Sequence, residues 1–279
     1  MRTGRFLPLT TEAVKAHGIR PFLGEMVIGT MIFSPLVALL GGALTYVLVG
    51  RFGAARTPFE EIFRAVAERY AHGSRFTRGY VTSKLAHDPV VRAVATLARA
   101  ENFGEVLDVG CGRGQMALVL LLGGGATAVR GFDWDPRKVE EARAAGDAGP
   151  TAHELAATFE RADVREAFFT PCDTVLLIDV VHYFTSEEQD ALLTRAADAA
   201  RTRVIVRELD PDRGWRSRVT RIQEALTTTL RFNRGARVHI RPVAKIAAIF
   251  EEKGYVVRVT PCWEGTPFSN VLLVATRPG

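Results

Sequence analysis

The sequence predicts an α/β protein: a doubly wound, seven-stranded, mostly parallel sheet with an antiparallel last strand, preceded by an apolar N-terminal helix. Three observations carry this expectation. From Gly104 onward, apolar runs, glycine turns and amphipathic stretches alternate, as in parallel strands joined by helices on both faces. Near the C-terminus, two apolar runs flank "CWEGTPF", a spacing short enough for a hairpin and hence an antiparallel edge. Upstream, Met26–Gly50 holds 25 residues without a charge.

Taken in chain order, residues 1–25 are a polar lead with a short amphipathic turn. Residues 26–50, at 1.5 Å rise each, are long enough to cross a hydrocarbon core of about 30 Å. Tyr46 lies near one end, where an interfacial aromatic belongs. The stretch is too long and starts too far in for a signal peptide, and no small-residue cleavage site follows. Pro35 and Gly41-Gly42 loosen a helix, so a span and a re-entrant segment both fit. Arg2, Arg5, Lys15 and Arg20 before it are matched by Arg51, Arg56, Arg64 and Arg69 after it, so flanking charge sets no orientation.

Thr57 as N-cap, Pro58 at N1 and Glu60 at N3 open a helix whose Phe59, Ile62, Phe63 and Val66 form one apolar stripe. A second amphipathic helix is expected at 89–100. Strands follow at 105–109, 127–132, 158–162, 173–179 and 203–207, with helices at 115–122, 136–145 and 187–200. A long Arg-rich helix at 214–230, carrying Arg216, Arg218 and Arg221 just after Arg213, leads to a helix at 242–253 and the hairpin strands 254–260 and 269–276. These readings divide the chain into a membrane-associated segment (1–56), a helical connector or lid (57–103) and an α/β domain (104–279).

Composition narrows the function. The 279 residues carry a net charge of +5, with a pI near 9.4. The basic residues are scattered among acids, with no run interleaved with aromatics, which argues against nucleic acid as partner. Cys111, Cys172 and Cys262 match no zinc spacing and read as reduced, buried thiols; no metal site emerges.

The most informative stretch is Glu105–Gly114, "EVLDVGCGRG". Gly110, Gly112 and Gly114 at a strand end permit close approach of a ligand to the backbone, and the following helix N-terminus favours an anion. The third glycine comes one position too early for a dinucleotide fingerprint, which disfavours an NAD(P) reading. Asp108 suits a cationic ligand better than a pyrophosphate. Asp133 stands 25 residues further on at the next strand end, where an acid accepts ribose hydroxyls. Asp135-Pro136 caps the next helix, and Asp163 ends the third strand.

On these residues the sequence resembles the class I S-adenosylmethionine (SAM)-dependent methyltransferases, over roughly residues 80–276. "VLDVGCGRG" looks like the family's first motif, "GFDWDP" its ribose-binding acid, "ADV" its adenine-side acid and "DTVLLIDVVHYF" its fourth motif. The resemblance implies SAM as cofactor, bound by Asp108, Gly110, Gly112, Gly114, Asp133, Trp134, Asp163, Val164 and Asp179. It implies a methyl-acceptor pocket lined by Asp179 to Phe184. "GYVTSKLAHDP", with Tyr80 and Lys84, is similar to segments that cover the cofactor in some members.

Methyl transfer needs alignment of nucleophile and methyl group, and a base only where the acceptor holds its proton. His182 suits that base; Tyr183 is a candidate to orient the acceptor, and Glu208 a second candidate base. The expected function is a membrane-associated SAM-dependent methyltransferase acting on a small or lipid-like acceptor (polyketide, isoprenoid or acyl-type). The membrane, and biosynthetic enzymes co-localised on it, are the expected partners. Cytosolic SAM would put the catalytic domain on the cytoplasmic side. The alternative is a non-catalytic scaffold subunit of a membrane-bound biosynthetic complex.

Overall fold

The computed structural model describes residues 39–42, 58–149, 155–211 and 238–279. The chain divides into two compact units, Met1–Arg56 and Thr57–Gly279. Of the first, residues 39–42 are described; they are helical, with Leu39 and Leu40 exposed. The rest of the apolar segment 26–50, the Thr57 cap and the Arg-rich helix expected at 214–230 lie outside the described residues. No helix among the described residues is long and apolar enough to cross a membrane.

The second unit opens with three helices, α1 (Pro58–Arg69), α2 (Arg75–His87) and α3 (Pro89–Ala100). Ser74 caps α2 by accepting from the Thr77 amide, and Asp88 caps α3 by accepting from the Val90 amide, with Pro89 at the first helical position. Strands and helices then alternate: β1 (Glu105–Val109), α4 (Gln115–Leu122), β2 (Ala128–Asp133), α5 (Pro136–Gly146), β3 (Ala157–Arg161) and β4 (Cys172–Ile178). A 3-10 turn (Val181–Tyr183) leads to α6 (Ser186–Ala199), β5 (Ala200–Leu209), α7 (Val243–Glu252), β6 (Val256–Pro261) and β7 (Asn270–Thr276).

The seven strands pair in the order β3-β2-β1-β4-β5-β7-β6. β1 to β5 are parallel, and β7 runs antiparallel to both β5 and β6, as the hairpin spacing predicts. The strand order reverses between β1 and β4, so the ligand crevice is expected beyond their carboxyl ends.

Side chains alternate across the sheet with the period of two that strands impose. On β5, Ile205 joins the core beneath α1 to α5, while Val204 and Val206 join the core beneath α6 and α7. Residues 57–103 belong to the first of these cores through Phe63, Val66, Val91 and Val94. β5 is longer than the expected 203–207, because pairing with both β4 and β7 carries the extended backbone through Leu209. Glu208 therefore sits within the strand, not past its end. Cys111, Cys172 and Cys262 are buried and free.

Candidate active site

The glycine loop lies at the crevice. Gly110, Gly112 and Gly114 all have positive φ, a region that L side chains rarely occupy. Gly114 also has no room, since a Cβ there would come within 2.7 Å of the Phe159 ring. At Gly112 a Cβ would meet nothing within 4 Å, so this face of the loop is open to a ligand. α4 starts directly from Gly114 without a side-chain cap, which leaves its first amides for a bound group.

Two carboxylates frame the loop. Asp133 is buried and accepts from the Gly112 amide at 3.0 Å and the Asp135 amide at 2.9 Å, tying the end of β2 to the loop. Asp108 is 3% exposed, and its Oδ2 has no hydrogen-bond partner among the described residues. Burial, and then the neighbouring Asp133 charge, push its carboxyl up to about 7. A buried carboxyl in this state calls for a cationic or hydrogen-bonding partner, as the open Gly112 face and uncapped helix end also do. The residues present therefore fit SAM. Asp135 caps α5 as expected, accepting from the Arg137 amide.

The remaining expected cofactor residues are spread around this centre. Trp134 is 57% exposed beside Asp133, and Val164 is buried. Asp163 is exposed, accepts from the Arg165 amide at 2.8 Å and pairs with the Arg165 guanidinium at 3.3 Å.

α1 and α2 clasp the loop. The Tyr70 hydroxyl, at the end of α1, donates to the Arg113 carbonyl at 2.6 Å, and the Thr77 hydroxyl on α2 donates to Glu141 at 2.7 Å. Arg113 lies 2.6 Å from Glu141, and its guanidinium covers the rings of Tyr80 (4.7 Å) and Phe76 (5.5 Å).

Below α2 lies a cavity of about 730 Å³, bounded by α2, the turn after β4, the end of β5 and the β6–β7 hairpin. His182, Tyr183 and Asp179 all line it. Nδ1 of His182 stands 3.0 Å from both carboxylate oxygens of Glu208. Glu208 is buried, and the His182 side chain is 11% exposed. The His182 carbonyl accepts from the His239 amide, so His239 anchors the turn. The sequence proposed His182 and Glu208 as separate bases; the fold makes them a pair.

Asp179 is the only non-glycine residue with positive φ (57°) among the described residues, a sharp turn at the β4 tip that Asp tolerates better than most. Its carboxylate meets Arg207 at 2.6 Å and Lys84 at 3.1 Å. Asp88 meets the same two cations, Lys84 at 2.9 Å and Arg207 at 3.2 Å. Burial would raise the Asp179 carboxyl, but Arg207 and Lys84 outweigh it and hold it below the usual range. Asp88 in this ring, Arg113 in the loop and Asn270 in the cavity wall were not singled out for it by the sequence. The Lys84–Asp88 spacing of four on a helix was the one available signal. Among the described residues no His, Cys, Asp and Glu cluster could hold a metal ion.

Residues 106–203 match the model of a methyltransferase domain. The chain carries a class I SAM-dependent methyltransferase domain. SAM is the cofactor of this methyltransferase. No curated protein matches the chain, but solved structures share its fold. Magnesium protoporphyrin IX methyltransferase from Synechocystis PCC 6803, with bound SAH, is 23% identical over 77% of this chain and 94% of its own, with a TM-score of 0.56. An O-methyltransferase family protein from Burkholderia thailandensis is 21% identical over 85% and 70%, with a TM-score of 0.56. Mitomycin 7-O-methyltransferase is 20% identical over 80% and 69%, with a TM-score of 0.53.

Proposed function

We propose that this methyltransferase methylates a hydroxyl of a small or lipid-like molecule held in the cavity below α2. The observation that carries the reading is His182 in the wall of that cavity, paired with the buried Glu208. Small-molecule O-methyl transfer is also what the name of the mitomycin enzyme states of that protein. When bound, SAM would supply an activated methyl group on its sulfonium for transfer to the acceptor oxygen, with the sulfur taking the electron pair of the broken bond. Glu208 fixes the imidazole through Nδ1 and balances the charge it gains, so Nε2 takes the hydroxyl proton. Asp133 would accept the ribose hydroxyls, and Asp108 would face a cationic part of the cofactor.

The state of Asp108 makes cofactor binding pH-dependent. Its folded pKa lies above the ordinary value of about 3.9, so the ligand-free fold loses this group's contribution to stability as pH rises from about 4 through about 7. A bound cation favours the carboxylate, so SAM binding should expel a proton below about pH 7. Calorimetric titration should therefore show tighter SAM binding at pH 8 than at pH 6, with proton release at pH 6. In the same sample, label from methyl-labelled SAM should pass to molecules extractable into organic solvent. Equal affinity at both pH values rules out the Asp108 contact. SAM binding with no acceptor in extracts would favour the scaffold reading.

We also propose that residues 26–50 hold the chain on a membrane, with the catalytic domain on the cytoplasmic side where SAM is made. The support is the uncharged length of the segment. The full-length protein should float with phospholipid vesicles on a density gradient; recovery only at the bottom of the gradient overturns the proposal.

A further inference from the structure

The cavity wall has a chemistry more specific than apolar. Three of the eight exposed large apolar side chains among the described residues, Phe76, Tyr80 and Tyr183, line this one space. Phe268 on the hairpin adds a fourth ring. Phe76 and Tyr80 stack with centroids 6.3 Å apart, steadied by the Arg113 guanidinium. Aromatic side chains gathered in one concave site favour a ligand that presents a flat face.

The charges in the wall are largely spent. Lys84 and Arg207 each contact both Asp88 and Asp179, a closed ring of two cations and two anions. A carboxylate on the acceptor would have to displace one of these anions from the buried Arg207, leaving that anion with Lys84 alone. Among the described residues the one other Lys or Arg of the lining, Arg75, is exposed at the first turn of α2.

Asn270 is the polar exception. It opens β7 opposite Leu209, is 6% exposed and faces the same cavity. A carboxamide in a cavity wall can both donate to and accept from a ligand held there.

Resting on the hydroxyl-methylation reading above, we infer that the acceptor is an uncharged, planar aromatic alcohol with a second oxygen function beside the methylated hydroxyl. The ring lies among Phe76, Tyr80, Tyr183 and Phe268. One hydroxyl meets His182 and the neighbouring oxygen meets Asn270. Asn270 is a specificity-determining residue, and the ion ring is what excludes acids.

The test is calorimetric titration of the full-length protein saturated with S-adenosylhomocysteine, using four probes: 2,3-dihydroxynaphthalene, 2-naphthol, 3-hydroxy-2-naphthoate and 1,2-decanediol. The aromatic diol should bind about tenfold or more tighter than the naphthoate and the aliphatic diol, and severalfold tighter than 2-naphthol. Asn270→Leu should erase the gap between the aromatic diol and 2-naphthol while S-adenosylhomocysteine affinity stays the same. Asn270→Ser provides the same comparison if the leucine variant does not fold. The inference is overturned if the naphthoate or the aliphatic diol binds as tightly as the aromatic diol, if the gap survives in the variant, or if no probe binds. Failure to bind S-adenosylhomocysteine at all would instead bring down the methyl-transfer reading beneath it.

Discussion

Asp133→Ala is expected to weaken SAM binding about tenfold to a hundredfold, the loss of hydrogen bonds to a charged acceptor worth roughly 1.5–3 kcal/mol. The magnitude follows from the position of this carboxylate. It is buried at the end of β2 and already fixed by the amides of Gly112 and Asp135. It is therefore pre-organised for a ligand, and losing it also releases the open face of the glycine loop. Asp133→Asn, which keeps an acceptor oxygen, should fall between wild type and alanine. Asp163→Ala should change the affinity by less than about threefold, because that carboxylate is exposed and already engaged by Arg165. Calorimetry on the three variants decides the matter. An unchanged affinity for Asp133→Ala would place the cofactor elsewhere.

His182→Ala should lower kcat/KM by about 10²–10⁴-fold, the usual contribution of a positioned general base, with SAM affinity unaltered. Glu208→Gln should give a smaller loss, since it can still hold Nδ1 but no longer balances the imidazolium charge. Burial makes that charge count, because Glu208 is 5% exposed. The two substitutions together should cost little more than His182→Ala alone, as expected of residues acting as one unit. Rates in the double variant that multiply the two single losses would mean that the residues act independently. A rate unaffected by His182→Ala would mean that the acceptor arrives without a proton to lose.

The legible part of this site was the part written locally. Asp108, the glycines and Asp133 follow from strand ends, turns and one spacing, and the structure ties Asp133 to Gly112 at 3.0 Å with the buried Asp108 in the reach of its charge. The strand boundaries were legible to within one or two residues except at β5. There, Arg201, Arg207 and Glu208 interrupt the apolar run, so the sequence reads as a shorter strand. In the fold Arg203 finds Glu101 at 3.2 Å and Arg207 finds two carboxylates, which lets charged residues continue a central strand. The ion ring joins positions 84, 88, 179 and 207, and no local pattern announces a closure over such separations. Asn270 reads as an ordinary polar residue before a strand until β7 is seen lying beside β5. The pairing of His182 with Glu208 was hidden for the same reason: each lies at the tip of a different strand, and only the parallel register of β4 and β5 sets the two tips side by side.

The placement of β7 has a consequence for how the protein is made. The last strand of the chain is inserted between β5 and β6, and it carries Asn270 into the cavity wall opposite helix α2, which is synthesised near the start of the unit. Neither the sheet nor the cavity can close until residues 270–276 have been made. Until then β5 offers an open edge of the kind that captures other chains. A chain lacking residues 270–276 would have an incomplete acceptor site and an unprotected strand. Such a product is a substrate for quality control rather than a slower enzyme.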